Sequence, residues 1–190
     1  MRKIKVLNFV SLDGYFSGPH GEIDWFKSID KDYEYDKETR EQSTSGSVLL
    51  FGRNTYEMMR SYWPTIDARK TDPVIAAAVN NGEKIVVSRT LHGAEEGPHW
   101  KNVKIIPEMT KKNIELIKKQ KGKDITILGS GSVVQQLANW GLIDEYQLMV
   151  VPIIIGSGKN MFKDVRKMDM RMIDIRSYKN GIVRLRFVAV

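Results

Sequence analysis

The sequence predicts one three-layer α/β/α domain with a mixed, mostly parallel central sheet and a C-terminal antiparallel hairpin. Three observations predict it. Short apolar runs alternate with amphipathic stretches through the first three-quarters of the chain, the pattern of strands joined by crossover helices. Two of those runs end at a glycine that leads straight into a helix. The last quarter holds two alternating runs on either side of Asn180-Gly181, the dipeptide that favours a two-residue hairpin turn.

Residues 3–10 alternate polar and apolar before becoming fully apolar, as a strand entering a sheet does, and Ser11-Leu12-Asp13-Gly14 breaks the run. Residues 15–25 contain Gly18-Pro19 and Gly21 and read as a long loop. Residues 29–43 have the charge density of a surface helix. A buried strand over 47–51 ends at Gly52, and a short helix follows over 54–59. Residues 73–80 form a helix with Pro73 in its first turn, where its missing N–H costs nothing, and a strand over 84–88 comes next. After a short strand over 103–106, the lysine-rich stretch 111–123 places Ile114 and Ile117 on one side of a solvated helix. A strand over 124–128, the turn Gly129-Ser130-Gly131-Ser132 and a helix over 133–140, ended by Gly141, repeat the strand, glycine, helix unit. Residues 145–155 are a long β-rich run, and 172–178 with 182–190 form the hairpin.

Composition sets the bounds on function. The 190 residues suit a single domain over 1–190, and 42% hydrophobic with 28% charged residues describes an ordinary globular chain. With no cysteine, disulfides, thiolate zinc sites and cysteine nucleophiles are excluded, so redox chemistry requires a bound cofactor. The N-terminus enters a strand pattern rather than the apolar run of a signal peptide, and no stretch approaches the roughly 18 apolar residues of a membrane span. A cytoplasmic protein with no membrane partner is expected. The net charge of +7 fits an anionic small molecule, a membrane surface or nucleic acid. The basic stretch lacks interleaved aromatics or arginine forks, so no nucleic-acid partner is expected. His20, His92 and His99 lack paired spacing, and no metal site is expected.

The chemistry gathers at three strand ends. Gly129-Ser130-Gly131-Ser132 joins a buried strand to a helix whose first turn offers unpaired N–H groups and a partial positive charge to a diphosphate. The third glycine of a Rossmann fingerprint and an acid at the ribose position are missing. Gly52-Arg53-Asn54-Thr55 puts a cation and a hydroxyl at a second helix start, and Ser88-Arg89-Thr90 places a cation between hydroxyls at a third strand end. Arginine forks and hydroxyls suit phosphate, and open α/β sheets bind ligands at the C-terminal ends of their strands.

Taken in order, Ser11-Leu12-Asp13-Gly14, Gly52-Arg53-Asn54-Thr55-Tyr56-Glu57, Val87-Ser88-Arg89-Thr90 and Leu128-Gly129-Ser130-Gly131-Ser132 resemble the dihydrofolate reductase superfamily. The resemblance is closest to the bacterial branch related to the C-terminal reductase domain of the bifunctional riboflavin-biosynthesis deaminase/reductase, and covers nearly the whole chain. It implies NADPH as cofactor, with Arg53 and Thr55 on its phosphates, Ser88 and Arg89 on the adenosine 2′-phosphate, and Gly129 to Ser132 over the pyrophosphate. Ser11, Asp13 and Gly14 would lie beside the nicotinamide, with Gly156 to Gly158 bordering the substrate. By position, Asp36 would be the catalytic acid, and Asp32, Glu34 and Glu38 compete with it. The implied reaction is hydride transfer to a small heterocyclic or carbonyl/imine substrate, as in a 5-amino-6-(5-phosphoribosylamino)uracil reductase, by a homodimer. A deaminase site is excluded by the lack of cysteine. The alternatives are an NADPH-binding protein without catalysis and a basic nucleic-acid-binding module.

Overall fold

The computed structural model describes residues 1–25 and 29–190. Its main sheet contains β1 (Ile4–Ser11), β3 (Val48–Gly52), β4 (Lys84–Val87), β5 (Val103–Ile106), β6 (Ile125–Ile127), β7 (Glu145–Val151), β9 (Met170–Ser177) and β10 (Val183–Ala189). A small ribbon pairs β2 (Tyr15–Ser17) with β8 (Lys159–Asn160). The helices are α1 (Tyr33–Thr44), α2 (Arg53–Tyr62), α3 (Ile66–Thr71), α4 (Pro73–Asn81), α5 (Lys111–Lys119) and α6 (Gly131–Asn139).

The strand order is β5-β4-β3-β6-β1-β7-β10-β9. The first six run parallel to one another, and β10 is antiparallel to both β7 and β9. The expected mixed sheet and terminal hairpin are therefore present. Because the six strands share a direction, Ser11, Gly52, Val87, Ile127 and Val151 finish along one edge, where crossovers must leave and ligands are met.

Successive side chains of a strand point to opposite faces, and the core divides accordingly. On one face Ile4, Val6, Leu50 and Ile127 pack against Ile114 of α5 and Val133, Val134 and Leu137 of α6. On the other, Phe51 and Val86 meet Tyr56 of α2 and Val79 of α4, while Met149 and Val151 meet Trp25, Tyr178 and Ile182. Each fully buried aliphatic side chain contributes roughly 1.5 to 3 kcal/mol, so this packing dominates the fold's stability.

Several boundaries differ from the sequence reading for local reasons. Residues 15–17 are strand β2, not loop. α1 begins at Tyr33 because the Asp32 carboxylate accepts the N–H groups of Glu34 and Tyr35 at 2.9 and 3.1 Å. Helix α3, too short to show a period, is capped by Thr65. β7 stops at Val151: Pro152 has no N–H to give the sheet, and residues 152–155 turn toward the end of β1, where the Leu12 N–H bonds Ile153 O at 2.8 Å.

Candidate functional site

Four of the six helices named above are capped by the side chain of their own N-cap residue: Asp32 for α1, Thr65 for α3, Asp72 for α4 and Thr110 for α5. The other two, α2 and α6, receive no side-chain cap. They start at the ends of β3 and β6, which are neighbours in the sheet. Their first-turn N–H groups and positive dipole ends therefore face the same stretch of edge.

Ser130, the N-cap of α6, has left-handed φ at +59° and turns its hydroxyl sideways to α2. Its Oγ accepts from the Gly52 N–H at 2.8 Å and lies 2.9 Å from Thr55 Oγ1. Gly52, Thr55, Gly129 and Ser130 thus form one unit, and the exposed Ser132 sits in the first turn of α6 beside it.

Beyond α2, at the end of β4, Ser88 is buried and its Oγ accepts from the backbone N–H groups of Thr90 and Leu91 at 3.2 and 3.0 Å. Those bonds bend the chain so that Arg89 and Thr90 emerge on the surface. The Arg53 guanidinium crosses from β3 to reach them: Nη1 donates to Thr90 Oγ1 at 2.7 Å, while Nε donates to Glu57 Oε1 at 2.6 Å. Arg89 is exposed and makes no hydrogen bond or ion pair among the described residues.

The ends of β1 and β7 are tied together separately. The buried Ser11 hydroxyl donates to Asp13 Oδ1 at 2.6 Å, and its oxygen accepts the Tyr15 N–H at 3.0 Å. Asp13 also accepts the N–H groups of Ile155 at 3.3 Å and Gly156 at 2.8 Å. The Ser11 hydrogen bond, aided by these amides, holds the Asp13 carboxyl below its usual range. Gly14 and Gly156 both have positive φ and open space where a side chain would stand.

Asp36, the expected acid, lies in α1. α1 meets the sheet through Tyr35, Glu38 and Gln42, positions i, i+3 and i+7 of one face. Asp36 is half-buried and makes no side-chain hydrogen bond or ion pair among the described residues. Glu38 instead takes the Tyr178 hydroxyl at 2.6 Å, Arg176 at 3.1 Å and a close contact with Arg184. A cavity of about 810 Å³ separates α1 from the sheet and reaches Phe9 and Met149, two residues short of the ends of β1 and β7.

Glycines read as room for a ligand have partners within the chain. A Cβ on Gly131 would stand 2.8 Å from the Phe16 ring, one on Gly52 would stand 2.7 Å from Ser130 Oγ, and one on Gly158 would collide with the Ser17 carbonyl. Gly129, with φ +72°, serves the turn itself. The side-chain bridges Ser130 to Thr55 and Asp13 to Gly156, like the Glu57 pair, join segments far apart in sequence or lie among ordinary surface charges, and no local motif announced them.

Residues 2–184 match the RibD C-terminal domain family. Protein YyaP of Bacillus subtilis (strain 168) is 30% identical over 177 residues, spanning 93% of this chain and 89% of that protein. YwjB of the same organism is 26% identical over 165 residues, 86% and 84% of the two chains. Among solved structures, a protein of Shewanella sp. PV-4 superposes with a TM-score of 0.77 at 21% identity, covering 99% of both chains. A pyrimidine reductase-like protein of Corynebacterium diphtheriae gives 0.63 at 15%, covering 100% and 92%. The diaminohydroxyphosphoribosylaminopyrimidine deaminase/5-amino-6-(5-phosphoribosylamino)uracil reductase of Thermotoga maritima gives 0.66 at 13%, and this chain spans 57% of it. At such identities these structures establish a shared fold, the three-layer domain described above.

Proposed function

Because the chain belongs to the RibD C-terminal domain family, we propose that it is an NADPH-dependent reductase acting on a small heterocycle, with a ribosylaminopyrimidine as the nearest substrate class. The observation that carries this reading is the pair of helix starts left without side-chain caps, α2 and α6, side by side on the strand-end edge. Their unpaired amides, the Thr55 and Ser130 hydroxyls and the two arginines are the donor set that a dinucleotide's phosphates require, so the residues fit the cofactor.

In this reading the amides of α2 and α6, with Thr55 and Ser132, hold the pyrophosphate. Ser88, Arg89, Thr90 and Arg53 hold the 2′-phosphate. Bound there, NADPH supplies a hydride. The protein's task is positioning, because hydride transfer needs donor and acceptor carbons roughly 3 to 3.5 Å apart. Asp13 serves that task by fixing Gly14 and Gly156, which would flank the nicotinamide and the substrate, against each other. Gly158 would carry the same loop past β2. The cavity beside Phe9 and Met149 gives the substrate room.

The proposal includes a cytoplasmic homodimer. Among the described residues no helix is long and apolar enough to cross a membrane. Leu148, Leu185 and Ile175 stand in register across β7, β10 and β9, and Ile175 is 59% exposed, an apolar strip that suits a second copy.

The test is a thermal-shift titration with NADPH, followed by turnover of 5-amino-6-(5-phosphoribosylamino)uracil read from the absorbance of the reduced nicotinamide. Saturating cofactor at about 100 times its Kd should stabilise by roughly 2.7 kcal/mol. A flat titration would overturn the reading. A second reading, cofactor binding without turnover, is favoured by the setting of Asp36, which no partner aims at the strand ends. Stabilisation by NADPH with no turnover across pyrimidine, pterin and carbonyl substrates would select it.

A further inference from the structure

Glu57 has no part in the reading above, yet it holds one of the two arginines on which that reading depends. We infer that Glu57 is a specificity-determining residue: it is an internal counter-ion on Arg53 that a 2′-phosphate must displace, and it thereby narrows the preference for NADPH over NADH. The inference rests on the proposed cofactor site.

The geometry singles out this acid. Arg53 Nε donates to Glu57 Oε1 at 2.6 Å while Nη1 reaches Thr90 Oγ1 at 2.7 Å, so one guanidinium spans the ends of β3 and β4 with a carboxylate on one side and a hydroxyl on the other. Among the described residues Glu57 is the acid paired with Arg53.

The helix gains less from this pair than it would from the reverse order. Opposite charges four residues apart favour a helix more when the acid precedes the base, and here Arg53 precedes Glu57. Nor does the acid serve the helix dipole, since the first turn of α2 holds no acidic residue. Both side chains are nearly half-exposed, at 45% and 49%, so the pair is weak and exchangeable. Arg89, its neighbour across the corner, has no such counter-ion among the described residues.

The chemical consequence follows from what differs between the two cofactors. A carboxylate near the adenosine 2′ position accepts a hydrogen bond from the 2′-hydroxyl of NADH, whereas it repels the 2′-phosphate of NADPH and competes with it for arginine donors. Holding Arg53 with Glu57 keeps the guanidinium ordered between the strand ends when no phosphate is there. The accompanying cost falls on NADPH alone.

The experiment compares wild type and Glu57→Gln by calorimetric titration with NADPH, NADH, adenosine 2′,5′-bisphosphate and AMP at fixed salt. Glutamine keeps the size and removes the charge. NADPH and the bisphosphate should bind about three- to tenfold more tightly to the variant, and NADH and AMP should stay within about twofold. In an Arg53→Met background the gain should vanish. Equal gains for all four ligands, no gain for NADPH, or a gain that persists without Arg53 would overturn the inference. Wild-type protein that binds neither cofactor would overturn the cofactor reading with it. Wild-type preference for NADPH, lost in Arg89→Ala but untouched in Glu57→Gln, would remove the inference and leave that reading standing.

Discussion

Charged and polar side chains gather on two parts of this sheet and are used in opposite ways. Under α1 they answer one another: Glu38 meets Arg176, Arg184 and Tyr178, Arg184 also meets Asp174 at 2.6 Å, Arg186 meets Glu145 at 2.7 Å, and Gln42 bonds Gln147 at 3.1 Å. At the ends of β3, β4 and β6 the donors outnumber their partners. Two helix starts lack side-chain caps, Arg89 stands unpaired among the described residues, and Arg53 is held by a weak pair. A network in which acids and bases pair fastens a helix to a sheet, whereas a surplus of donors of one sign leaves work for an anion. The two regions should therefore respond to mutation in different observables.

The largest effect is expected under α1. Arg184→Met leaves Glu38 and Asp174 without their buried partner, and removing one member of a buried ion network costs about 3 kcal/mol. Urea unfolding should show that loss, with NADPH affinity of the folded protein unchanged. A loss below about 0.5 kcal/mol would place these charges with ordinary surface pairs and dissolve the contrast.

At the strand ends the response should be the reverse. Arg89→Ala removes no hydrogen bond or ion pair among the described residues, so stability should hold while NADPH affinity falls by roughly ten- to a hundredfold, the effect of losing a charge-assisted bond of about 1.5 to 3 kcal/mol. NADH binding should be little altered, and Arg53→Ala should change the preference less if its guanidinium also reaches the shared pyrophosphate. Equal losses for both cofactors in Arg89→Ala would remove the 2′-phosphate from this corner.

A smaller effect tests the unit between the two bare helix starts. Ser130→Ala removes the acceptor of the Gly52 N–H and the partner of Thr55, costing about 1 kcal/mol, and should shift NADPH and NADH affinity by the same factor because both share the pyrophosphate. Ser130→Gly removes the same hydroxyl but adopts φ +59° without a Cβ penalty, so it should be the more stable of the two variants. The opposite order would deny the left-handed backbone its role.

What the sequence revealed follows the same division. Period and punctuation are local, so the two strand, glycine, helix units and the Asn180-Gly181 hairpin were legible, as was the strand over 103–106. The positive φ of Gly181 and of Gly129 is what those turns needed. The bare start of α2 also shows locally, because Gly52 has no side chain to cap with, whereas that of α6 does not, because Ser130 is a good capping residue whose hydroxyl turns to α2 instead. Networks paired across the chain do not. Glu38 and Arg184 are far apart in the chain, and the face of α1 that meets the sheet cannot be chosen from a helix whose surface is polar all round, which is why Asp36 stood out on spacing alone. Gly131 illustrates a second limit. Its Cβ space is filled by Phe16, from a strand the sequence read as loop, so Gly131→Val would disturb packing before it tested any phosphate contact. The ribbon of β2 and β8 was missed because two or three residues show no period.

The opposite edge of the parallel strands offers a third case, a cation held by backbone carbonyls rather than by a carboxylate partner among the described residues, and the smallest expected effect. Lys84, at the start of β4, is 1% exposed and its ammonium donates to the carbonyls of Asn80, Gly82 and Lys101 at 3.1, 2.7 and 2.9 Å, with the Trp100 ring face 4.5 Å away. Burial nevertheless lowers its pKa from 10.5 to about 8. In the unfolded chain the group keeps its proton until about pH 10.5, whereas in the folded protein it gives the proton up above about 8, so between these values the unfolded state binds more protons and stability rises with pH. The gain is complete above the unfolded value and is lost as pH falls through the folded one. Tyr35 and Tyr146, raised by burial to about 12, act in the opposite direction: their contribution is present below pH 10 and is lost as pH rises toward 12. Urea unfolding from pH 8 to 9.5 therefore isolates the lysine. Wild type should gain on the order of 1 kcal/mol across that range relative to Lys84→Met. Parallel pH profiles for the two proteins would mean that the three carbonyls and the indole hold the ammonium charged across this range.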